Sequence, residues 1–248
     1  MKKILILSPH SDDAVLSCAD HISYWKKMGY SITVCRIFTK YETNILSTDA
    51  KRFIEQSGCN DVISFEKTRT REDINALTYL KVSFLSQKYT DSAFRTYKNN
   101  LLYNSFNKLL NGRISDKDTT LMQSINTLFS KLADTYDFVI APLAIGNHVD
   151  HKIINICANK SIQRDKLFYY LDAPYFFSLS NWNFNLLKII LLQWESLRMT
   201  TTIKRKAIDS YTSQKNFLFK SYRRFFFNSK IQYFPEIILN INNNKGIL

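Results

Sequence analysis

Residues 3–18, KILILSPHSDDAVLSC, run from an almost wholly apolar segment into a histidine and two adjacent aspartates. Lys3–Ser8 scarcely alternates, as a strand buried on both faces of a parallel sheet should read. Asp13–Lys27 follows with Val15, Leu16, Ile22 and Trp25 at roughly helical spacing, and Gly29 is placed to end the helix. Ser31–Phe38, SITVCRIF, is a second, β-branched strand. Strand, helix and strand within residues 3–38 form a βαβ unit, which predicts a parallel sheet.

Working outward, the pattern predicts a helix over Thr48–Ser57, a third strand over Asp61–Phe65 and a helix over Arg71–Tyr79. A longer helix over Thr120–Asp134 leads into DFVIAPL, Asp137–Leu143, a strand of the same buried type as the first. A helix over His151–Lys160 and a strand over Lys166–Leu171 complete the series. The fold class is therefore α/β, a Rossmann-like three-layer sandwich with a mostly parallel sheet. Its core spans residues 1–175, and a basic, aromatic-rich extension, residues 176–248, packs on the core and helps wall the site. The chain holds only five glycines and no GxGxxG. SPHSDD stands where a phosphate-cradling loop would be, so a dinucleotide site is disfavoured.

Composition narrows the function classes. The four cysteines, Cys18, Cys35, Cys59 and Cys157, show no CxxC spacing. They read as buried reduced thiols, which suits a cytoplasmic location. The start has a basic tip but a short apolar run and no small-residue cleavage site, so it reads as strand and not as a leader. LLKIILLQW, residues 186–194, is too short to span a membrane. The formal net charge is +13, and from Lys204 onward nine basic residues face only Asp209 and Glu236. Nucleic acid, an anionic membrane surface touched peripherally or a phosphorylated substrate could each use that field, and so could solvent alone. No nucleic-acid motif accompanies it. The aromatic run Ser221–Phe234 reads as core or interface in preference to a sugar-stacking platform. The Asn-rich tail ILNINNNKGIL, residues 238–248, reads as loosely held, with its Ile and Leu residues able to pin it.

Two aspartates beside an imidazole at the end of a buried strand repel each other and need positive compensation. A helix N-terminus is one source, with Asp12 and Asp13 as an N-cap pair. A divalent cation is a stronger one. Three of the four histidines lie in two short motifs: His10, and His148 with His151 in GNHVDHK after the strand Asp137–Leu143. If both strands share one parallel sheet, both motifs emerge at the same edge. Three ligands with an open position is the usual catalytic zinc arrangement, and His10, Asp13 and His151 can supply them. The other aspartate is then free to act as a base. The fourth histidine, His21, reads as an ordinary helix-face residue.

PHSDD resembles the Pro-His-x-Asp-Asp signature of the LmbE-like (PIG-L) family of N-acetylglucosaminyl de-N-acetylases, and GNHVDH its His-x-Asp-His signature. APLAIGNHVDH, YYLDAPY (Tyr169–Tyr175) and KAIDSYTSQ (Lys206–Gln214) are similar to a bacterial branch of that family. The resemblance implies a zinc site at His10, Asp13 and His151, with Fe²⁺ also accepted by such a donor set. It implies Asp12 as general base, His148 as oxyanion stabiliser, and Asp150 orienting and charging the His148 ring. In TREDINAL and YTDSAFR it points to Arg71 and Asp91 as sugar-binding residues, and Asp172 of LDAPY is a further pocket candidate. Ala19 and Asp20 stand where that branch commonly has glycines. The implied reaction is metal-dependent removal of an N-acetyl group from an amino sugar or its conjugate, phosphorylated and carrier-linked forms included. Amidase action on a non-sugar substrate and a catalytically silent carbohydrate- or anion-binding protein are the alternatives, and the two motifs leave the oligomeric state open.

Overall fold

In a computed structural model, the structure describes residues 1–177, 202–214 and 236–239. The runs at 186–194 and 221–234, residues 240–248 of the tail and the bases Lys215, Lys220, Arg223, Arg224, Lys230 and Lys245 lie outside the described residues. The elements are β1 (Lys3–Ser8), α1 (Asp13–Lys27), β2 (Ser31–Lys40), α2 (Thr48–Gln56), α3 (Val62–Tyr79), β3 (Ser83–Thr90), β4 (Thr96–Tyr97), β5 (Asn100–Leu101), α4 (Phe106–Leu110), α5 (Thr119–Ala133), β6 (Phe138–Pro142), α6 (Val149–Ser161), β7 (Leu167–Tyr170), α7 (Thr202–Ile208) and β8 (Ile238–Leu239).

Six strands form one sheet in the order β3-β2-β1-β6-β7-β8, parallel except for the antiparallel β8. Ile4–Leu7 and Val139–Ala141 are fully buried, as continuous apolar runs at the centre of such a sheet should be. Helices flank the sheet: α1 and α3 pack with α7, and α5 packs with α6. Strand order reverses at β1, which is followed by β2 on one side and paired with β6 on the other. The carboxyl ends of β1 and β6 therefore open into the crevice where α/β sheets place their ligands.

One predicted strand is a helix. Asp61 caps α3 through its side chain, which accepts the Ser64 N–H at 2.7 Å, while the Ser64 hydroxyl receives the Asp61 N–H. That reciprocal cap starts a helix of 18 residues, so VISF forms its first turn despite its β-branched content. Phe65, Arg69, Glu72, Asp73, Ala76 and Leu77 share its buried face. The third strand is SFLSQKYT, Ser83–Thr90, an exposed edge strand whose polar residues hide its period. Part of the extension belongs to the core: Ile238 and Leu239 are fully buried and extend the sheet beyond β7. The four cysteines are free and buried. Among the described residues, no helix is long and apolar enough to cross a membrane.

Candidate active site

The turn after β1 is pinned from within. The Ser8 hydroxyl donates to the His10 carbonyl at 2.6 Å and accepts the Ala14 N–H at 3.0 Å, while the His10 N–H donates to Asp13 Oδ2 at 2.7 Å. Asp12 occupies the N-cap position of α1, yet its side chain makes no capping bond. Its carboxylate instead takes both arms of Arg69, at 3.1 and 3.3 Å. Two chemically identical neighbours are thereby separated, Asp13 turned towards imidazoles and Asp12 towards a guanidinium.

The loop after β6 is tight, with positive φ at Ala144, Gly146 and Asn147. A Cβ on Gly146 would stand 2.6 Å from Cβ of Tyr175. Glycine there lets the Tyr175 ring close on His148 and His151, with centroids 6.2 and 5.4 Å away. His148 caps α6, its Nδ1 accepting the Asp150 N–H at 3.2 Å, and His151 follows in the first turn. Ring nitrogens of His10, His148 and His151 lie within 4.8 Å of one another.

Each of two imidazoles is backed by a carboxylate. Asp150 Oδ2 stands 3.1 Å from His10 Nε2, and Asp172 Oδ1 stands 2.5 Å from His151 Nδ1. Asp172 also accepts the Ile145 N–H at 3.0 Å. The opposite nitrogens turn to one oxygen: Asp13 Oδ2 is 3.2 Å from His10 Nδ1 and 3.3 Å from His151 Nε2. Carboxylate-backed imidazoles whose free nitrogens converge are the usual surroundings of a protein-bound metal.

The charges are unbalanced in the same sense. Arg69 answers Asp12, and Arg95 answers Asp150 at 2.7 Å, leaving Asp13, Asp91 and Asp172 to share three imidazoles. Burial alone would lower the pKa of His10, but Asp91, Asp13 and Asp150 drive it well above its ordinary value. Burial is likewise outweighed at His151, which Asp13 and Asp172 raise to about 9. Burial would raise Asp13, yet His151 and His10 hold it well below the usual carboxylate range. Asp150 is held low chiefly by Arg95 and His10, against its burial. The carboxylates thus favour positive charge at both imidazoles, the place a divalent cation would take. Among the described residues His151 Nε2 forms no well-aligned hydrogen bond and meets Asp13 Oδ2 at 3.3 Å, as two donor atoms facing a shared ion would. His10, Asp13 and His151 could hold such an ion, with Asp13 Oδ2 within 3.3 Å of both imidazoles.

His148 differs. Burial and the neighbouring His10 and His151 push its pKa well below the ordinary value, and its Nδ1 is an acceptor. Both features favour the neutral ring with its proton on Nε2. Asp150 pulls this ring towards the charged form, as expected of it, but burial and the two neighbouring imidazoles outweigh it. Its carboxylate is engaged by Arg95, His10 and the Ser92 N–H, the last at 2.9 Å, and only its main chain meets His148.

Asp91 reaches the cluster, its carboxylate 3.6 Å from His10 Nε2 and accepting the Ala93 N–H. Asp172 is fully buried behind His151, so it backs an imidazole and does not line a pocket. Arg71 lies on the exposed side of α3, in a groove with Tyr41 and Ile74. The arginine that α3 delivers to the site is Arg69, and helix phase relative to Phe65 and Ala76 could have found it. Arg95, ion-paired to Asp150 and Asp118 between the Phe38 and Tyr103 rings, was also missed. Burial on a short loop leaves no local sequence signal.

His21 is not an ordinary helix-face residue. It is buried, and its Nδ1 and main-chain N–H both meet Glu236, whose other oxygen takes the Asp20 N–H and, at 2.8 Å, Lys204 Nζ.

The model of the PIG-L family, described as GlcNAc-PI de-N-acetylase, matches residues 5–161, which hold both motifs. The chain belongs to the PIG-L family. No curated protein matches it by sequence. Among solved structures, it is similar to the deacetylase of teicoplanin biosynthesis in complex with teicoplanin, at 23% identity and TM-score 0.72, covering 96% of this chain and 97% of that one. A zinc-inhibited form of teicoplanin deacetylase is similar at 22% identity and TM-score 0.69, with the same coverage. N,N'-diacetylchitobiose deacetylase from Pyrococcus horikoshii is similar at 16% identity and TM-score 0.55, over 96% of this chain and 82% of that one. The PIG-L fold assignment thus rests on the family match and on these likenesses together.

Proposed function

We propose that this PIG-L protein hydrolyses the N-acetyl group of an amino sugar or amino-sugar conjugate, and that it works with one divalent metal ion, zinc or Fe²⁺, in the cytoplasm. The observation that carries the reading is the separation of Asp12 from Asp13. One carboxylate joins two backed imidazoles, and the other is held apart by Arg69. A metal hydrolase needs that division, one aspartate as ligand and one as base.

His10, Asp13 and His151 hold the ion, which when bound supplies a Lewis acid that acidifies water and polarises the acyl carbonyl. Asp150 and Asp172 fix the two imidazoles in the tautomers that present His10 Nδ1 and His151 Nε2. Asp12 takes the proton of the attacking water, and Arg69 holds its carboxylate in place. His148 donates its Nε2–H to the carbonyl oxygen as negative charge develops there, and its neutral state suits a hydrogen-bond donor of fixed direction. Asp91, beside His10 with an oxygen free of the Ala93 bond, is placed to accept a sugar hydroxyl.

The test is acetate release from a panel of N-acetylated amino sugars by chelated and Zn²⁺- or Fe²⁺-reloaded protein. Release is expected only from the reloaded forms. Metal bound near one equivalent without acetate release from any sugar or simple acetamide would overturn the hydrolase reading in favour of a binding protein.

A further inference from the structure

We propose that a basic groove beside the active site is a subsite for a phosphate group on the substrate. The inference rests on the deacetylase reading and names its substrate class, a phosphorylated amino sugar. The groove holds about 360 Å³ and lies between the ends of β2 and β3, the β4–β5 hairpin and the turn before α5. Arg95 forms its inner wall, and through the Arg95–Asp150–His10 chain that wall is shared with the catalytic cluster. Thr90, also in the wall, directly precedes Asp91. The groove therefore adjoins the stretch of chain that carries Asp91.

The charges are not spent internally. Glu42 pairs with Lys40 at 2.6 Å, and Asp118 pairs with Arg95. Lys88 and Lys117 line the same groove with no carboxylate in ion-pair reach among the described residues. Lys88 is carried there by a backbone irregularity. Register passes from Arg36↔Ser86 to Phe38↔Tyr89, leaving one extra residue on β3, and Lys88 adopts φ 55°. A left-handed conformation is disfavoured at a non-glycine residue, and bulges of this kind re-aim a side chain beside active sites. Lys117 is placed by a ring, its ammonium 5.1 Å from the centroid of Tyr97. An aromatic face positions a cation without neutralising it. Two positioned ammonium groups, with the one guanidinium of the groove already committed to carboxylates, suit a compact phosphate better than a planar carboxylate.

The test compares glucosamine 6-phosphate, glucosamine 1-phosphate and glucosamine by calorimetric binding to metal-loaded protein, then N-acetylglucosamine and its two phosphates as substrates. The variants are Lys88→Gln/Lys117→Gln and Lys88→Arg/Lys117→Arg, with Lys131→Gln on the exposed end of α5 as control. Wild type should bind one phosphate isomer about tenfold tighter than glucosamine, an advantage of the size two exposed ion pairs supply. It should shrink in high salt and vanish in the Gln pair but persist in the Arg pair and the control. A phosphate advantage unchanged in the Gln pair, or no advantage for either isomer, overturns the subsite. Because binding is read apart from turnover, loss of acetate release with the phosphate preference intact would count against the deacetylase reading alone.

Discussion

The molecule buries two clusters of histidine and carboxylate, and only one of them is closed. Behind α1, Glu236 meets His21, Lys204 and the main-chain N–H groups of Asp20 and His21. One carboxylate there answers an ammonium and four donors in all, and the cluster ties β8 and α7 to α1. At the edge of β1 and β6, Asp13, Asp91 and Asp172 stand around His10, His148 and His151 after the two arginines are matched, and Asp13 is shared between His10 and His151. Residue types are shared between the two, so type does not separate an anchor from a reaction centre. Charge balance does. A buried cluster complete within the chain stabilises, and one left with excess carboxylate is built for a cation that the chain does not supply.

The largest effect should come from breaking the open cluster, where the proposed chemistry is done. Asp12→Asn retains the ligands and removes the base, so kcat should fall by about 10²–10⁴ with metal content unchanged. Asp13→Asn should instead lower metal content, measured by elemental analysis. Equal metal loss in both variants would erase the distinction between the neighbours. Next in size is the closed cluster. Glu236→Gln leaves Lys204 buried beside a neutral partner, and denaturant unfolding should show a loss of roughly 3–5 kcal/mol, with kcat of the folded fraction little altered.

The two clusters should also fail at opposite ends of the pH scale. Burial would raise Glu236, but Lys204 and His21 hold it at about 2 against an ordinary 4.5. Its contribution is whole above pH 4.5 and is lost as pH falls towards 2. His151, at about 9 against an ordinary 6.5, contributes below pH 6.5 in the metal-free protein and loses that contribution as pH rises through 9. Each loss is on the order of 3 kcal/mol. Bound metal should abolish the alkaline loss and leave the acid one, which thermal unfolding of chelated and reloaded protein can read. An alkaline loss that survives metal loading would place its origin outside the open cluster. The smallest effect belongs to Arg71→Ala, an exposed change expected within about 0.5 kcal/mol of wild-type stability. Arg69→Ala, which strips Asp12 of its partner, should cost far more in both stability and kcat. A larger loss of kcat/KM at Arg71 would restore it as the sugar-binding arginine.

The sequence alone determined the βαβ start, the parallel sheet and the two motifs, because those signals are local. Buried parallel strands are continuous apolar runs, and His10, Asp12 and Asp13 follow one of them directly. It also placed His148 and His151 at the matching edge through the topology of that sheet. It misjudged Asp61–Phe65, where β-branched residues outweighed a capping box four residues long, and it passed over β3, an edge strand whose polar exposure erases the period. Tertiary structure decided the partners. That Arg69 and not Arg71 meets Asp12, that Asp150 backs His10 and Asp172 backs His151, and that Glu236 reaches His21 all join residues 21 to 215 positions apart. Ion pairs of that range leave no periodic trace in a single chain. Burial makes them strong, and burial is a property the fold confers only after the whole sheet has assembled.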